Sequence, residues 1–370
     1  MSSVSSAASG HEAVTSHVSP ERQRLGRLLI RGATLFLCLI GLVQLLYVMG
    51  YLPWGFANWQ PVFIAYVLWS AAFCWGLVLR DGEAGWRAVF VLPAVFFTLA
   101  LVIFPTFFGL YIAFSDWNLQ SAGGRQFNGL ANFWQLIADP YFWNALGNMV
   151  FYVATVIVQY AIAFGLAMLL NADIKAQKFF RVAFLLPFML SPVAVSWMIG
   201  KSMLEYRFGP VTHLLRELGW SQPTLLTTPW LAKTTIALMD AWVWIPFMMI
   251  MILAGLQALP KDVQEAAKVD GATGWQGFWQ ITFPLMLPVS VTTVVLRIIF
   301  QLKLADIVIN TTAGGPGGAT DTISSYIFRV YKDRSNVGYG TMIAEVYLIL
   351  IIIFVALLLK FTSRYMQRAV

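Results

Sequence analysis

Residues 265–284 read Glu265-Ala-Ala-Lys-Val-Asp-Gly-Ala-Thr-Gly-Trp-Gln-Gly-Phe-Trp-Gln-Ile-Thr-Phe-Pro284, a short polar stretch between two long apolar runs. Residues 261–269 can form about two and a half helical turns, and isolated helices that short are marginal in water. Asp262 and Glu265 have the spacing of an N-terminal cap, and Gly271 is suited to end the helix. A helix with so little apolar surface is best explained by docking onto another protein.

A second helix is expected to begin directly after the first. Thr273 and Gln276 have the capping spacing, and small residues between the two helices permit close backbone approach. The stretch resembles the EAA loop of permease subunits of bacterial ABC importers, in which Glu-Ala-Ala, a Gly, an Ile and a Leu-Pro stand at fixed offsets. Phe283 replaces the usual Leu. The residues that the resemblance assigns to docking on a partner ATPase are Glu265, Ala266, Ala267, Asp270, Gly271, Ala272, Ile281 and Pro284. An ordinary surface helix between two membrane spans is the alternative.

The composition predicts an all-α integral membrane protein. Hydrophobic residues make up 59% of the 370 residues and charged residues only 11%, whereas soluble domains carry about 25% charged residues. Eight apolar segments have about the 20 residues needed to cross a bilayer, and such long continuous runs favour helices over a barrel. The expected spans are 29–50, 61–79, 88–114, 146–170, 179–201, 233–257, 281–303 and 339–361.

Charge distribution predicts the orientation. With both termini in the cytoplasm, 14 Lys and Arg lie on the cytoplasmic side and nine outside, as the positive-inside rule favours. This orientation also places the 265–284 loop in the cytoplasm. The net charge of +7 is therefore attributed to topology, and nucleic acid is not expected as a partner.

The resemblance extends over about residues 88–365 and implies a domain organisation. Residues 129–133, 142–148 and 310–316 also resemble segments of sugar-type importer permeases. We expect a disordered cytoplasmic N-terminus at 1–26, two additional transmembrane helices at 27–80, and the importer transmembrane domain at 81–370 with its coupling loop at 260–284. The two additional helices are interpreted as peripheral; the alternative is that they form part of the transport pathway.

Three ionisable residues stand out because they lie well inside predicted spans, where such groups are costly and usually face a bundle interior or a cavity. They are Asp240, Arg297 and Glu345, each about six or seven residues from the outer end of its span. They are therefore expected to share a depth, and Arg297 is expected to pair with Asp240 or Glu345. Such a pair could fix helix packing or line the outer half of a substrate pathway, and both interpretations stay open.

Other polar and aromatic residues extend this tentative pathway. Gln301 lies one turn from Arg297, Trp244 lies one turn from Asp240, and Trp242 lies on another side. Aromatic rings and hydrogen-bonding groups together would suit a carbohydrate. Span 179–201 contains Pro187 and Pro192, which interrupt backbone hydrogen bonding and predict a kinked helix. Its candidate pathway residues are Ser191, Ser196 and Trp197.

The chain is not expected to be an enzyme. No Gly-x-x-x-x-Gly-Lys-Ser/Thr phosphate loop occurs, so ATP and magnesium would be bound by partner subunits and no cofactor by this chain. Three scattered histidines and the apolar setting of Cys38 and Cys74 predict neither a metal site nor a disulfide.

The resemblance implies a permease subunit of a carbohydrate-type importer in the bacterial cytoplasmic (inner) membrane. The implied partners are a second, similar permease chain in a heterodimer, two ATPase subunits, and a periplasmic or lipid-anchored solute-binding protein. The substrate would be a sugar or related polyol. Glycerol phosphate-type solutes, and more remotely a secondary transporter driven by an ion gradient, are the alternatives.

Overall fold

A computed structural model describes residues 18–48, 51–56, 58–172 and 174–369. Contacts divide the chain into two compact units, one ending at Thr106 and the other beginning at Phe107. Most of the expected disordered segment 1–26 lies outside the described residues. Helix α1, however, begins at Pro20, so the prediction was wrong for residues 20–26, where arginines continue the helix and are good helix formers.

The first unit is a set of long apolar helices. Its elements are α1 (Pro20–Val48), α2 (Gln60–Asp81), α3 (Glu83–Thr98), a π-helical turn (Leu99–Ile103) and the start of α4 (Phe104–Ala113). Gly26 of α1 has no room for a β-carbon because the backbones of Gly76 and Arg80 lie against it. Gly85 is similarly closed by the backbone of Leu77. Glycines thus bring α1, α2 and α3 into direct backbone contact.

The second unit is a helical bundle with one small hairpin. Its further helices are α5 (Ala131–Ala138), α6 (Pro140–Asn171), α7 (Gln177–Met189), α8 (Pro192–Val195), α9 (Pro210–Glu217), α10 (Pro229–Ala258), α11 (Lys261–Val269), α12 (Gly274–Gly277), α13 (Phe283–Gln301), α14 (Asp306–Thr311), α15 (Ile323–Lys332) and α16 (Val337–Ala369). π-Helical turns occupy Ser196–Met203 and Phe278–Thr282. Strands β1 (Ser115–Asp116) and β2 (Gln126–Phe127) pair antiparallel. The apolar core is formed mainly by α6, α10, α13 and α16, with Met149, Met248, Met286 and Ile343 fully buried.

Within the described residues, seven helices are long and apolar enough to cross a membrane. The eighth expected span, 179–201, is a pair of shorter helices, Gln177–Met189 and Pro192–Met203, that meet at 93°. Ser191 is extended, as residues before proline usually are, and Pro192 begins the next helix. The eight-span prediction is thus confirmed if this pair counts as one span, but the expected kink is a full break.

Candidate functional site

The 265–284 stretch begins inside helix α11 (Lys261–Val269). The helix begins at Lys261, so Asp262 lies in its first turn and not at the cap position expected for it. Gly271 ends the helix with φ of 78°, a left-handed conformation that glycine adopts without steric cost. The amide of Ala272 donates to the carbonyl of Ala267 over 2.9 Å, the long-range bond of a Schellman stop.

The second helix restarts two residues later, as predicted. Thr273 and Gln276 form a reciprocal capping box: the Gln276 amide donates to Thr273 Oγ1 at 3.3 Å, and the Thr273 amide to Gln276 Oε1 at 2.9 Å. The same helix then continues as a membrane span to Gln301. Phe278 anchors its base on α6, with its ring 5.5 Å from that of Phe164. Gly271 therefore joins an exposed helix to a fixed span.

One face of α11 and the start of α12 are uncovered in this chain. Val269, the last residue of α11, is 86% exposed, and Trp275 of α12 is 72% exposed. Glu265, Ala266, Asp270, Gly271 and Pro284 are exposed, whereas Ala267, Ala272 and Ile281 are half-buried. The last three line a cleft of about 190 Å³ that also reaches Met168 at the end of α6. Of the residues expected to dock a partner, five are thus exposed and three line the cleft beside them.

A buried charge pair lies inside the bundle, and it is the pair expected between Arg297 and Asp240. Arg297 is fully buried and Asp240 is 1% exposed. Arg297 Nη2 donates to Asp240 Oδ2, and Arg297 Nε donates to Gln159 Oε1 at 3.0 Å. Gln159 Nε2 lies 3.4 Å from Asp240 Oδ2, closing a triangle between α6, α10 and α13. Removing one ion would leave the other charged and unpaired in the interior.

Gln159 did not enter the sequence-based site, although a pattern in α6 could have revealed it. The polar residues of α6 recur every three or four positions at Asn144, Asn148, Tyr152, Thr155 and Gln159. This spacing places them on one helical face, and Asn148, Tyr152 and Gln159 are buried. A buried polar stripe therefore runs along α6 from its N-terminal end to the Arg297–Asp240 pair.

An aromatic cluster stands beside the charge pair. The Arg297 Cζ lies 5.0 Å from the Trp244 ring centre, a cation–π distance. Trp244 contacts three further rings, those of Phe188, Phe247 and Phe300, at 5.6, 5.9 and 4.7 Å between ring centres. Phe188 and Phe300 are each 39% exposed. We call these four rings the aromatic patch; it is an apolar surface supported from behind by a buried cation.

Beside the charge pair, Arg297 Nη1 and the amide oxygen of Gln301 form no hydrogen bond with the described residues, and both have negligible exposure. The side chain of Gln301 also interacts with the Asp240 carboxylate. Gln301 lies on the same face as Arg297, as expected, and is fully buried. This site therefore has hydrogen-bonding capacity beyond what the ion pair uses.

The remaining predicted pathway residues are distributed more widely. Glu345 does not join Arg297; its carboxylate lies directly against Gly109 of α4, beside Thr341. Trp242 is 40% exposed and lines an apolar groove with Pro187 and Ile162. In the broken span, Ser191 caps α8 by accepting from the Ala194 amide, Ser196 is buried, and Trp197 is 58% exposed. The structure thus brings Asp240, Arg297, Gln301 and Trp244 together.

The polar stripe of α6 also fastens the glycine-rich loop 312–322. Asn148 Nδ2 donates to the carbonyls of Gly318 at 3.0 Å and Asp321 at 2.9 Å, and Asn144 Nδ2 donates to Gly318 at 2.6 Å. The Tyr152 hydroxyl donates to the Thr320 carbonyl at 3.3 Å. We call these bonds the loop clasp. Every acceptor in it is a backbone carbonyl.

Charged groups surround the clasp. Burial raises the pKa of the Asp321 carboxyl, an effect that the paired guanidinium of Arg329 opposes. The hydroxyls of Tyr326 and Tyr339 both donate to Asp139 Oδ2 at 2.5 Å. Burial and the bond to Asp139 raise the pKa of Tyr326 to about 12. Tyr326 therefore stays a neutral donor at physiological pH.

Asn148→Leu tests the clasp. The substitution preserves size but leaves the buried carbonyl of Asp321 without its side-chain donor, while Gly318 keeps its bond from Asn144. We therefore expect a loss of about 1–3 kcal/mol in stability, read as a lower thermal unfolding midpoint in detergent. Asn310→Leu is the matched control, because the Asn310 side chain bonds only to Asp306 within its own helix. Equal midpoints for the two variants would show that α6 does not hold the loop.

Comparison with known proteins gives consistent matches. A family model described as "Binding-protein-dependent transport system inner membrane component" matches residues 72–369. The trehalose/maltose transport system permease protein MalF of Thermococcus litoralis is 31% identical over 285 residues, which are 77% of this chain and 95% of that protein. The sulfoquinovosyl glycerol transport system permease protein SmoG of Agrobacterium fabrum is 32% identical over 273 residues, 74% of this chain and 88% of that one.

Solved structures agree on the fold. A chain of a bacterial alginate ABC transporter, crystallised in complex with an alginate pentasaccharide-bound periplasmic protein, aligns with a TM-score of 0.62 at 22% identity. The alignment covers 84% of this chain and 97% of that chain. The shared architecture spans nearly all of that neighbour and leaves part of this chain unmatched.

Proposed function

Because the chain belongs to the family of binding-protein-dependent transport system inner membrane components, we propose that it is the permease subunit through which an ATP-driven ABC importer passes a sugar or related polyol. The observation that carries this proposal is the exposed helix α11, ended by left-handed Gly271 and joined directly to a membrane span. Relatives named for trehalose/maltose and for sulfoquinovosyl glycerol support a carbohydrate-type solute.

The proposal includes partners that supply energy and substrate. Two ATPase subunits would receive the exposed edge of α11, which carries Glu265 and Ala266, and would bind the ATP and magnesium. A second permease chain would complete the pathway, and a solute-binding protein would deliver the solute. The alginate transporter, crystallised with its periplasmic protein, supports this arrangement by analogy. ATP hydrolysis is thus assigned to other chains, and this one is not an enzyme.

We place the substrate pathway beside the aromatic patch. Asp240 and Arg297 are too buried to present their charges at a surface, so their role is to hold Trp244 and, through it, the other rings. Gln301 supplies hydrogen-bonding capacity beside them. The broken span, with Ser191, Ser196 and Trp197, is proposed as a second wall. Glu345 stays a separate pathway candidate on α16.

A glycerol phosphate-type solute is the second candidate. A relative named as an sn-glycerol-3-phosphate permease, from Agrobacterium fabrum, is 29% identical to this chain. The site argues against an anion, however, because the charge of Arg297 is already neutralised by Asp240. A neutral solute is therefore preferred.

Trp244→Ala and Trp242→Ala separate the patch from the rest of α10. Trp244 contacts the other three rings, so its loss should disorganise the patch and lower uptake about tenfold at subsaturating solute. Trp242→Ala removes the same side-chain volume from another side of the same helix, and this variant should transport normally. Equal uptake by both variants at equal membrane levels would show that the aromatic patch is not part of the substrate pathway.

The function as a whole is tested by co-expressing the chain with its chromosomal neighbours and purifying the complex. We expect an ATPase to co-purify, with hydrolysis stimulated by a sugar-loaded binding protein and not by the same protein loaded with glycerol 3-phosphate. Stimulation by glycerol 3-phosphate alone would select the second candidate. A chain that purifies alone and moves solute into ATP-free vesicles under an ion gradient would overturn the importer assignment.

A further inference from the structure

The first unit contains a cavity at the edge of the region that matches the family. The matching region begins at residue 72, so α1 and the first part of α2 lie outside it, and α1 contributes Arg22 to the cavity. The cavity has a volume of about 750 Å³ and is formed where the N-terminal end of α1 meets the end of α2 and the start of α3. Its lining residues are Val18, Ser19, Arg22, Trp75, Val78, Leu79, Gly82, Glu83 and Trp86.

The cavity lies at the level where a bilayer changes from hydrocarbon to headgroups. Helix α1 has 29 residues and is about 43 Å long, which exceeds the roughly 30 Å thickness of a hydrocarbon core. No charged residue occurs from Gly32 to Val48, whereas Arg22, Arg24, Arg27 and Arg31 precede that run. The arginine-bearing turns therefore extend into the headgroup layer. Trp75 and Trp86, 57% and 49% exposed, are of the residue type that prefers this layer.

The segment that forms the cavity carries a net positive charge. From 21 to 87 there are six arginines and three acids, a net charge of +3. The lining itself holds one cation, Arg22, and one acid, Glu83. Arg80 pairs with Asp81 at 2.7 Å, and Arg87 lies 3.9 Å from Glu83. Across the described residues, the ion pairs include none of the four α1 arginines. Arg22 thus presents a free cation at the cavity wall.

The cavity also has a closed end. The backbone contact between Gly26 and Gly76 joins α1 to α2 one turn beyond Arg22, so a ligand must enter from the arginine side or from the lipid. Below Arg22 the wall is apolar and consists of Trp75, Val78 and Leu79. A ligand that fits has an anionic head and an apolar body.

We propose that this cavity binds one anionic phospholipid, with its phosphate at Arg22 and Ser19 and its acyl chains along Trp75, Val78 and Leu79. Basic pockets between membrane helices and arginine clusters flanking a span are the features that recognise such lipids. The first unit therefore provides a lipid-binding site formed by α1, α2 and the start of α3.

Native mass spectrometry of the full chain tests the site, with phosphatidylglycerol and phosphatidylcholine of identical acyl chains as probes. We expect one phosphatidylglycerol to be retained at concentrations where phosphatidylcholine is lost. Arg22→Gln should weaken retention about fivefold, the effect of one arginine near an anionic surface. Arg24→Gln is the matched control, because it removes the same charge from the same helix outside the cavity lining. Trp75→Leu, which keeps the charge, should also weaken retention.

Three results would overturn the proposal. Equal retention of the two lipids would show no headgroup recognition. Equal weakening by Arg22→Gln and Arg24→Gln would show diffuse attraction to a basic helix end. Displacement of the lipid by millimolar inorganic phosphate would show a phosphate site without a lipid-specific wall. Arg22 is exposed and unpaired within the described chain, so the unfolding midpoint of its variant without lipid should match that of the wild type.

Discussion

Gly271→Val is expected to abolish energised uptake while the chain still reaches the membrane. A β-branched residue at φ of 78° is strained, and the left-handed region costs L-residues about 1–2 kcal/mol or more. Relief of that strain would change the angle between α11 and the span that begins at Gly274. The exposed edge of α11 would then no longer fit its partner. We expect uptake to fall by about two orders of magnitude, with a matching loss of ATPase co-purification.

Gly271→Asn is the control for this prediction. Asn has nearly the same volume as Val but tolerates the left-handed conformation, so it should keep much of the uptake. A Cβ at Gly271 meets no atom within 4 Å, so crowding inside this chain does not explain a difference between the variants. If Asn is as damaging as Val, contact of the partner with the glycine itself, and not its backbone conformation, is the requirement.

Arg297→Met is expected to destabilise the bundle strongly. Asp240 would remain buried and charged without a partner, which costs about 3–5 kcal/mol. Asp240→Leu should destabilise the bundle equally, because Arg297 would then be buried and charged without its partner. The double variant Arg297→Met/Asp240→Leu should recover most of the loss, because buried pairs can often be replaced by apolar residues without penalty. Thermal unfolding of the purified protein measures all three.

Uptake by the double variant decides what the pair is for. If it only fixes helix packing, restoring stability restores uptake. If it holds Trp244 in the pathway, as we propose, uptake stays low in a stable protein. Arg87→Met is a control at an exposed pair, since the Arg87 and Glu83 side chains are 83% and 67% exposed, and it should cost about 1 kcal/mol or less. A comparable loss at both sites would indicate a general sensitivity to removing arginine.

The local structure of the 265–284 stretch could be predicted from the sequence because its signals are local. Thr273 and Gln276 form the expected capping box, and Gly271 ends the first helix as expected. Only the position of Asp262 differs, by being inside the first turn. Local bonds between residues three to five apart need no knowledge of the tertiary fold, which is why these predictions were confirmed.

The charge pair could be predicted only in part. Counting residues along the spans gives depth, and depth places Arg297 level with Asp240. Depth does not say which face a residue occupies on a helix whose neighbours are unknown, so Glu345 could not be separated from Asp240 in advance. The structure places it against Gly109. Gln159 was missed because a single amide in an apolar helix does not indicate a buried polar site. Only the three- to four-residue spacing of all the polar residues of α6 indicates one.

The break in span 179–201 shows a similar limit. Two prolines predict an interruption, but its angle depends on what the second half packs against. Gly200 lies against Thr311 of α14, a contact that closes off space for a side chain there. The 93° turn therefore reflects a tertiary partner more than a hundred residues away in sequence.

The loop clasp limits which sequence changes loop 312–322 can accept. Its donors are three side chains of α6, whereas its acceptors are carbonyls that every amino acid possesses. The side chain of Ala319 can therefore be exchanged, by mutation or by grafting, without removing a fastening bond, provided that the backbone path is kept. Gly317 and Gly318 are different, because their φ angles are 59° and 84° and a β-carbon at Gly318 would lie 3.1 Å from Asn144 Nδ2. Segment swaps among relatives should succeed when both glycines and the donors Asn144, Asn148 and Tyr152 are retained.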